Sequence, residues 1–202
     1  SVAPDDFTAL VGLSQSYAPP VRIDDAIWHL ERAFEQRPND EILTGKIREL
    51  YAEHRGQKLS KITLSAGAVA RQYTRNGLFD QAIEVLRNTL AKSPNRVDLR
   101  LLLARTYRES ENPIEAAEAA QDVLEILPDC LEANILLARV WLTVERPSDA
   151  QRHIGRIEPV SPYLALELAQ GAKPPDDAVM LDELDYQAVA SRELTASNPD
   201  WL

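Results

Sequence analysis

The sequence predicts an all-α fold of repeated antiparallel helical hairpins, and three observations carry that prediction. The pentapeptides LARTY (103–107) and LARVW (137–141) stand 34 residues apart, and 34 residues before the first the chain reads VARQY (69–73). Rows of this length starting at Thr63, Val97 and Leu131 place Tyr73, Tyr107 and Trp141 in one column, Ala82, Ala116 and Ala150 in another, and Pro94, Pro128 and Pro162 in a third; a row starting at Phe7 adds Tyr17, Ala26 and Pro38. With aromatics at 6% of the chain, four in one prescribed column arise by chance about once in a hundred thousand placements. Composition agrees: 13 prolines against 7 glycines, with abundant Ala, Leu, Glu and Arg, favour helices punctuated by proline over sheets.

Each element follows from its row. In the third row Leu99, Leu103 and Tyr107 form an apolar stripe at helical spacing, and after a break Ala116, Ala120 and Val123 form a second. Such a pair is a helix-turn-helix hairpin. The alanine columns (Ala70, Ala104, Ala138 and Ala82, Ala116, Ala150) are small where two antiparallel helices cross most closely, and the aromatic fills the adjoining wider gap. The prolines end the second helix, because proline lacks an amide proton and crowds the preceding turn. Inside the hairpins, Asn76-Gly77 supplies a left-handed stop, Asn112-Pro113 a cap and first-turn proline, and Arg146-Pro147 a similar break.

Residues 41–62 interrupt the period, yet Ile47 and Tyr51 fall where a first helix carries its apolar columns. This predicts a half repeat: a helix over 41–54, a turn near Gly56, and a following helix that begins early, at Leu59 or Ser60, and runs to Asn76. Its expected role is an extra packing helix that adjusts curvature. At the other end, 163–170 is apolar enough to cap the last hairpin, GAKPPDD reads as a linker, and 177–194 has helical spacing through Met180, Leu184 and Ala188. The predicted organisation is a solenoid over 1–172, with rows 7–40, 63–96, 97–130 and 131–164, followed by an acidic linker and helix over 173–202.

These columns resemble tetratricopeptide repeats, whose unit is a 34-residue helical hairpin. The resemblance covers four rows, about two thirds of the chain, and implies a right-handed superhelix of about four repeats plus a half repeat. The fourth column departs from it, holding Leu10, Ala66, Arg100 and Asn134 where a large aromatic is common, and Ser14 replaces the small residue of the first row.

Composition narrows the functions. A net charge of −10 repels phosphates and anionic lipid surfaces, so nucleic acid and membrane surfaces are disfavoured as partners. The apolar runs fall short of the roughly 20 residues of a membrane span, nothing resembles a signal segment, and a cytoplasmic location is expected. The single cysteine, Cys130, reads as a packing residue, and His29, His54 and His153 lack zinc-ligand spacing, so no metal or other cofactor is called for. Phosphate loops, nucleophile elbows and paired catalytic carboxylates are missing from the sequence, which makes a binding module the default over an enzyme. His29 and His153 are expected on partly exposed faces.

Arg71, Arg105 and Arg139 occupy the ninth column. The resemblance implies that first helices line the inner wall of the superhelix and that columns two, five, nine, twelve and thirteen face its groove; the spacing of three and four agrees with one stripe. Arg75 and Arg108 widen the arginine ladder, and Leu64, Leu101, Ile135 and Leu142 stand in neighbouring groove columns. Two readings stay open. In one, forked guanidiniums clamp an acidic peptide whose apolar side chains meet those residues. In the other, Asp98 and Glu132 in the second column of the following rows neutralise Arg71 and Arg105, leaving Arg139, followed by Leu166, without a partner. Chaperone tails are disfavoured, since the Lys and Asn that clamp them in some family members are Val11 and Gln15, or Gly67 and Arg71, here. Thr106, with Gln72 and Val140 in its column, reads as free to vary.

The expected function is a protein-interaction scaffold binding an acidic or apolar segment, including its own tail: residues 176–202 hold seven acids and one arginine. The alternative is the non-catalytic repeat domain of a larger enzyme or signalling protein cut at Leu202. Self-association through the tail or the 41–54 helix is a further expectation.

Overall fold

Apolar stripes at helical spacing fold into helices throughout a computed structural model that describes residues 3–17 and 22–178. In chain order these are α1 (Phe7–Ser16), α2 (Ile23–Gln36), α3 (Glu41–Arg55), α4 (Ala66–Arg75), α5 (Phe79–Lys92), α6 (Val97–Glu109), α7 (Pro113–Ile126), α8 (Leu131–Thr143), α9 (Pro147–Ile157) and α10 (Pro162–Gln170). Strands are absent among the described residues. The pairs α1–α2, α4–α5, α6–α7 and α8–α9 are the hairpins of an all-α helical-repeat fold, and each packs on the next.

The alanine columns show why one geometry recurs. Ala70, Ala104 and Ala138 on the first helices and Ala82, Ala116 and Ala150 on the second are all fully buried, so the helices of each hairpin cross there at the closest approach a methyl group permits. Each hairpin turn is closed the same way: the amides of Leu78, Asn112 and Arg146 donate to the carbonyls of Tyr73, Tyr107 and Trp141 at 2.9, 2.9 and 2.8 Å. The residue before each donor adopts left-handed backbone, φ 72° at Gly77, 60° at Glu111 and 57° at Glu145. Pro113 and Pro147 then open α7 and α9, where no amide proton is needed. Asn112 stands at the N-cap position but makes no side-chain cap, since its amide turns back to Ser110. Of the four aromatics in the repeat column only Tyr107 is buried, while Tyr17, Tyr73 and Trp141 are half-buried; Trp141 keeps an open face for the Arg146 guanidinium, 4.6 Å from its centroid.

The first part of the chain is built differently. Helices α1, α2 and α3 share a core of Leu10, Leu30, Ala33, Phe34, Leu43 and Ile47. Asp40 caps α3 by accepting from the Ile42 and Leu43 amides, and Gly56 ends it at φ 64°. The expected early helix start at Leu59 or Ser60 is corrected: α4 begins at Ala66. Leu59 and Ile62, whose spacing suits a helix, instead pack on the α1–α3 core, and Ser65 caps α4 through the Ala68 amide. Helix α4 then rests on α2, leaving α3 to one side.

The core continues as a string of clusters linking α4 with α6, α6 with α8, and α8 with α10. Beyond α10, Gly171 turns the chain and Pro174 is buried, its carbonyl accepting from the Tyr163 hydroxyl at 2.5 Å. The helix expected over 177–194 lies almost wholly outside the described residues.

Candidate functional site: an ion ladder across the first helices

Helices α4, α6 and α8 stand side by side, which brings their ninth-column arginines into one row. Arg71 is only 5% exposed. It donates to Asp98 and to Asp5, both at 3.4 Å. Arg105 forks onto Glu132 at 2.7 and 2.5 Å and reaches the same Asp5 oxygen at 3.4 Å. The neutralisation by Asp98 and Glu132 offered by the sequence is thus present, with Asp5 added as a bridge between the two arginines.

The network extends further. Arg96 donates twice to Asp98, at 2.8 Å each, and once to Glu35 at 2.6 Å. Glu35 is 2% exposed, pairs with Arg32 at 3.0 Å and accepts from the Ser65 hydroxyl at 2.7 Å. The result is one alternating chain, Arg32–Glu35–Arg96–Asp98–Arg71–Asp5–Arg105–Glu132, with four positive and four negative members. It ties α2, α4, α6, α8 and the segment before α1 together. Gly67 makes room for it: a Cβ there would lie 2.5 Å from Glu35 Oε2.

The pairing shows in the titration behaviour. Burial acts to lower the Arg96 pKa, but hydrogen bonds and the charges of Asp98 and Glu35 outweigh it and hold it above its ordinary value. Burial pulls Asp98 upward, yet Arg96, and at longer range Arg71 and Arg32, keep it below the usual carboxylate range. The hydrogen bond to Glu132 raises Arg105 against the opposing pull of burial.

The remaining groove residues divide. Leu101 is corrected as a ligand contact: at 1% exposure it belongs to the core between α6 and α8. Ile135 and Leu142 are half-buried against the cluster shared by α8, α9 and α10, and Leu64 is exposed. Arg75 donates to the Gln36 carbonyl at 3.1 Å, and Arg108 pairs with Glu109 at 3.5 Å on the surface. Arg139 is exposed and makes no ion pair among the described residues. With Arg108 and Glu111 it lines a recess of about 350 Å³ whose apolar residues include Ala116, Leu136 and Val140.

Two further expectations are corrected. His153 is buried, its Nδ1 3.0 Å from Asn134 Oδ1, and Asn134 in turn donates to the Pro128 and Cys130 carbonyls. Thr106 does not vary freely: it is fully buried, donates to the Leu102 carbonyl at 2.8 Å and meets the Thr74 hydroxyl at 2.9 Å. The sequence reading missed Asp5, Glu35 and Arg96. Only Gly67 signalled them, a glycine in a column that holds Val11, Leu101 and Ile135 in the other rows.

These features define an all-α helical-repeat protein whose first helices share a neutralised ion ladder with an open arginine at one end. Neither a family profile nor a curated protein matches the sequence. Among solved structures the chain is similar to the MamA protein, with 16% identity, 79% of this chain and 94% of that one covered, and a TM-score of 0.44. Two MamA mutants align likewise, one at 16% identity, 81% and 97% coverage and TM-score 0.42, the other at 18%, 87% and 90%, and 0.44.

Proposed function

We propose that the protein is an interaction scaffold that binds an acidic segment along its first helices, entering at Arg139 and Arg108. The observation that carries this reading is the contrast within one column: Arg71 and Arg105 are spent on internal carboxylates, whereas Arg139 is exposed without one. An unpaired guanidinium beside an apolar floor suits a carboxylate next to an apolar side chain. The same chemistry occurs within the chain at 176–202, so this reading includes a repeat body over 1–172 and an acidic segment over 173–202 that competes for the site in cis.

A fluorescein-labelled peptide copying residues 176–194 tests the reading by fluorescence anisotropy against the whole chain. Arg139→Glu is expected to weaken binding at least about tenfold, the scale of losing a charge-assisted contact and adding repulsion. A peptide with its acids changed to amides should not bind. Removing 173–202 should tighten binding of the labelled peptide. Equal affinity for wild type and Arg139→Glu rejects the proposal.

A further inference from the structure

We propose that Arg71 and Arg105 form a second carboxylate subsite on the same wall, and that Asp5 fills it as an internal stand-in until an acidic partner displaces it. The inference rests on the reading of an acidic partner given above and adds where its next carboxylate sits.

Three observations carry it. The first is the quality of the contacts. Arg96 and Glu132 hold their partners at 2.5–2.8 Å, while both Asp5 contacts and the Arg71–Asp98 contact are 3.4 Å. An N–H···O bond between charged groups ordinarily closes to about 2.7–2.9 Å. The ladder is therefore tight around Arg96 and Glu132 and slack around Arg71 and Asp5.

The second is that Arg71 is under-satisfied. Its side chain is 6% exposed, its Nε is buried without an acceptor, and its two other contacts are the slack ones. A guanidinium offers five N–H donors in a fixed fork, and a carboxylate free to approach in its plane can take two of them in parallel. Asp5 cannot take that position without moving the chain, because its carbonyl accepts from Gln36 at 2.5 Å and the next residue, Asp6, caps α1 through the Ala9 amide at 2.6 Å.

The third is charge. With Asp5 withdrawn, Arg71 keeps only Asp98, which it shares with Arg96, and Arg105 keeps only Glu132. Two neighbouring guanidiniums that lose their common carboxylate leave a place for one anion. Asp5 precedes α1, whereas Asp98 and Glu132 sit within helices, so Asp5 is the member a ligand can replace without unwinding a helix.

The test uses the whole chain and the labelled 176–194 peptide. Asp5→Asn keeps the backbone bond to Gln36 and the Asp6 cap, so the fold is retained, which circular dichroism checks. It is expected to tighten the peptide at least threefold, and Asp5→Glu to return it towards wild type. Phenylglyoxal labelling read by mass spectrometry should show Arg71 and Arg105 modified faster in Asp5→Asn than in wild type, and protected again by the peptide. The proposal is overturned if the peptide binds but Asp5→Asn leaves its affinity unchanged, or if it protects Arg139 and Arg108 while leaving Arg105 and Arg71 reactive. Failure of the peptide to bind either form rejects the acidic-partner reading itself, and the displacement proposal with it.

Discussion

Single residues here are constrained by groups far away in sequence. Gly67 is the sharpest case. The Glu35 carboxylate, held by Arg32, Arg96 and Ser65, occupies the space a Cβ would need, so Gly67→Ala forces a buried charge off its partners. A loss of about 1–3 kcal/mol is expected, the range for overpacking, and urea denaturation measures it; an unchanged midpoint would show that Glu35 relaxes freely. His153 gives a pH signature. Burial lowers its imidazole below its ordinary 6.5, Arg152 and Arg156 push the same way, and Asp149 on the same helix opposes them; Glu125 and Gln121 of α7 line the adjoining recess. The unfolded chain takes up the proton first, so the associated stability is present above pH 6.5 and is lost as pH falls from there towards the lowered folded value. Melting curves at about pH 7.5 and about pH 5.5 should therefore converge for His153→Gln relative to wild type. Thr106 and His153 were misread for a shared reason: polar side chains leave no apolar period, and their partners, Thr74 and Asn134, lie on neighbouring helices.

At the scale of elements, the hairpin was legible because its steric demands repeat at fixed intervals: a methyl at each crossing, a ring at each wide gap, a proline after each second helix. The αL position in each turn was legible once, at Gly77, and hidden twice, because Glu111 and Glu145 adopt the same backbone without the residue type that signals it. Both glutamates carry the cost of a side chain at positive φ. Glu111→Gly and Glu145→Gly should each stabilise the fold by up to about 1 kcal/mol, a rise of roughly 2–4 °C in Tm for a chain of this size. A fall in Tm for either would mean that the added freedom of the unfolded glycine outweighs the strain removed. The start of α4 was not legible because Leu59 and Ile62 satisfy a helical spacing while packing on another unit from an irregular segment. Local pattern cannot report a competitor supplied by α1–α3.

Across the whole molecule, nearest-neighbour packing explains most of the cohesion, as in other stacked repeats, but the joint between the α1–α3 unit and the hairpins after it is unusual. Its apolar core does not run through: Leu10, Leu30, Phe34 and Ile47 form one cluster, and Ala70, Leu86 and Leu99 belong to the next. Across the gap lies Glu35, with Arg96 reaching it from the turn before α6. A buried ion pair adds little net stability over an apolar match, yet breaking one side of it costs about 3–5 kcal/mol, because the remaining charge stays buried. Arg96→Met removes the cation shared by Glu35 and Asp98 and so strikes the joint more than either unit. Hydrogen exchange should show α1–α3 amides losing protection much more than those of α6–α9, with unfolding in urea separating into two steps. Equal acceleration along the chain would mean that the helix α2–α4 contact alone couples the units. The outcome also bears on the proposed displacement, since Asp5 precedes α1: loosening the first unit should carry Asp5 off Arg71 and Arg105 and tighten the acidic peptide, the effect expected of Asp5→Asn.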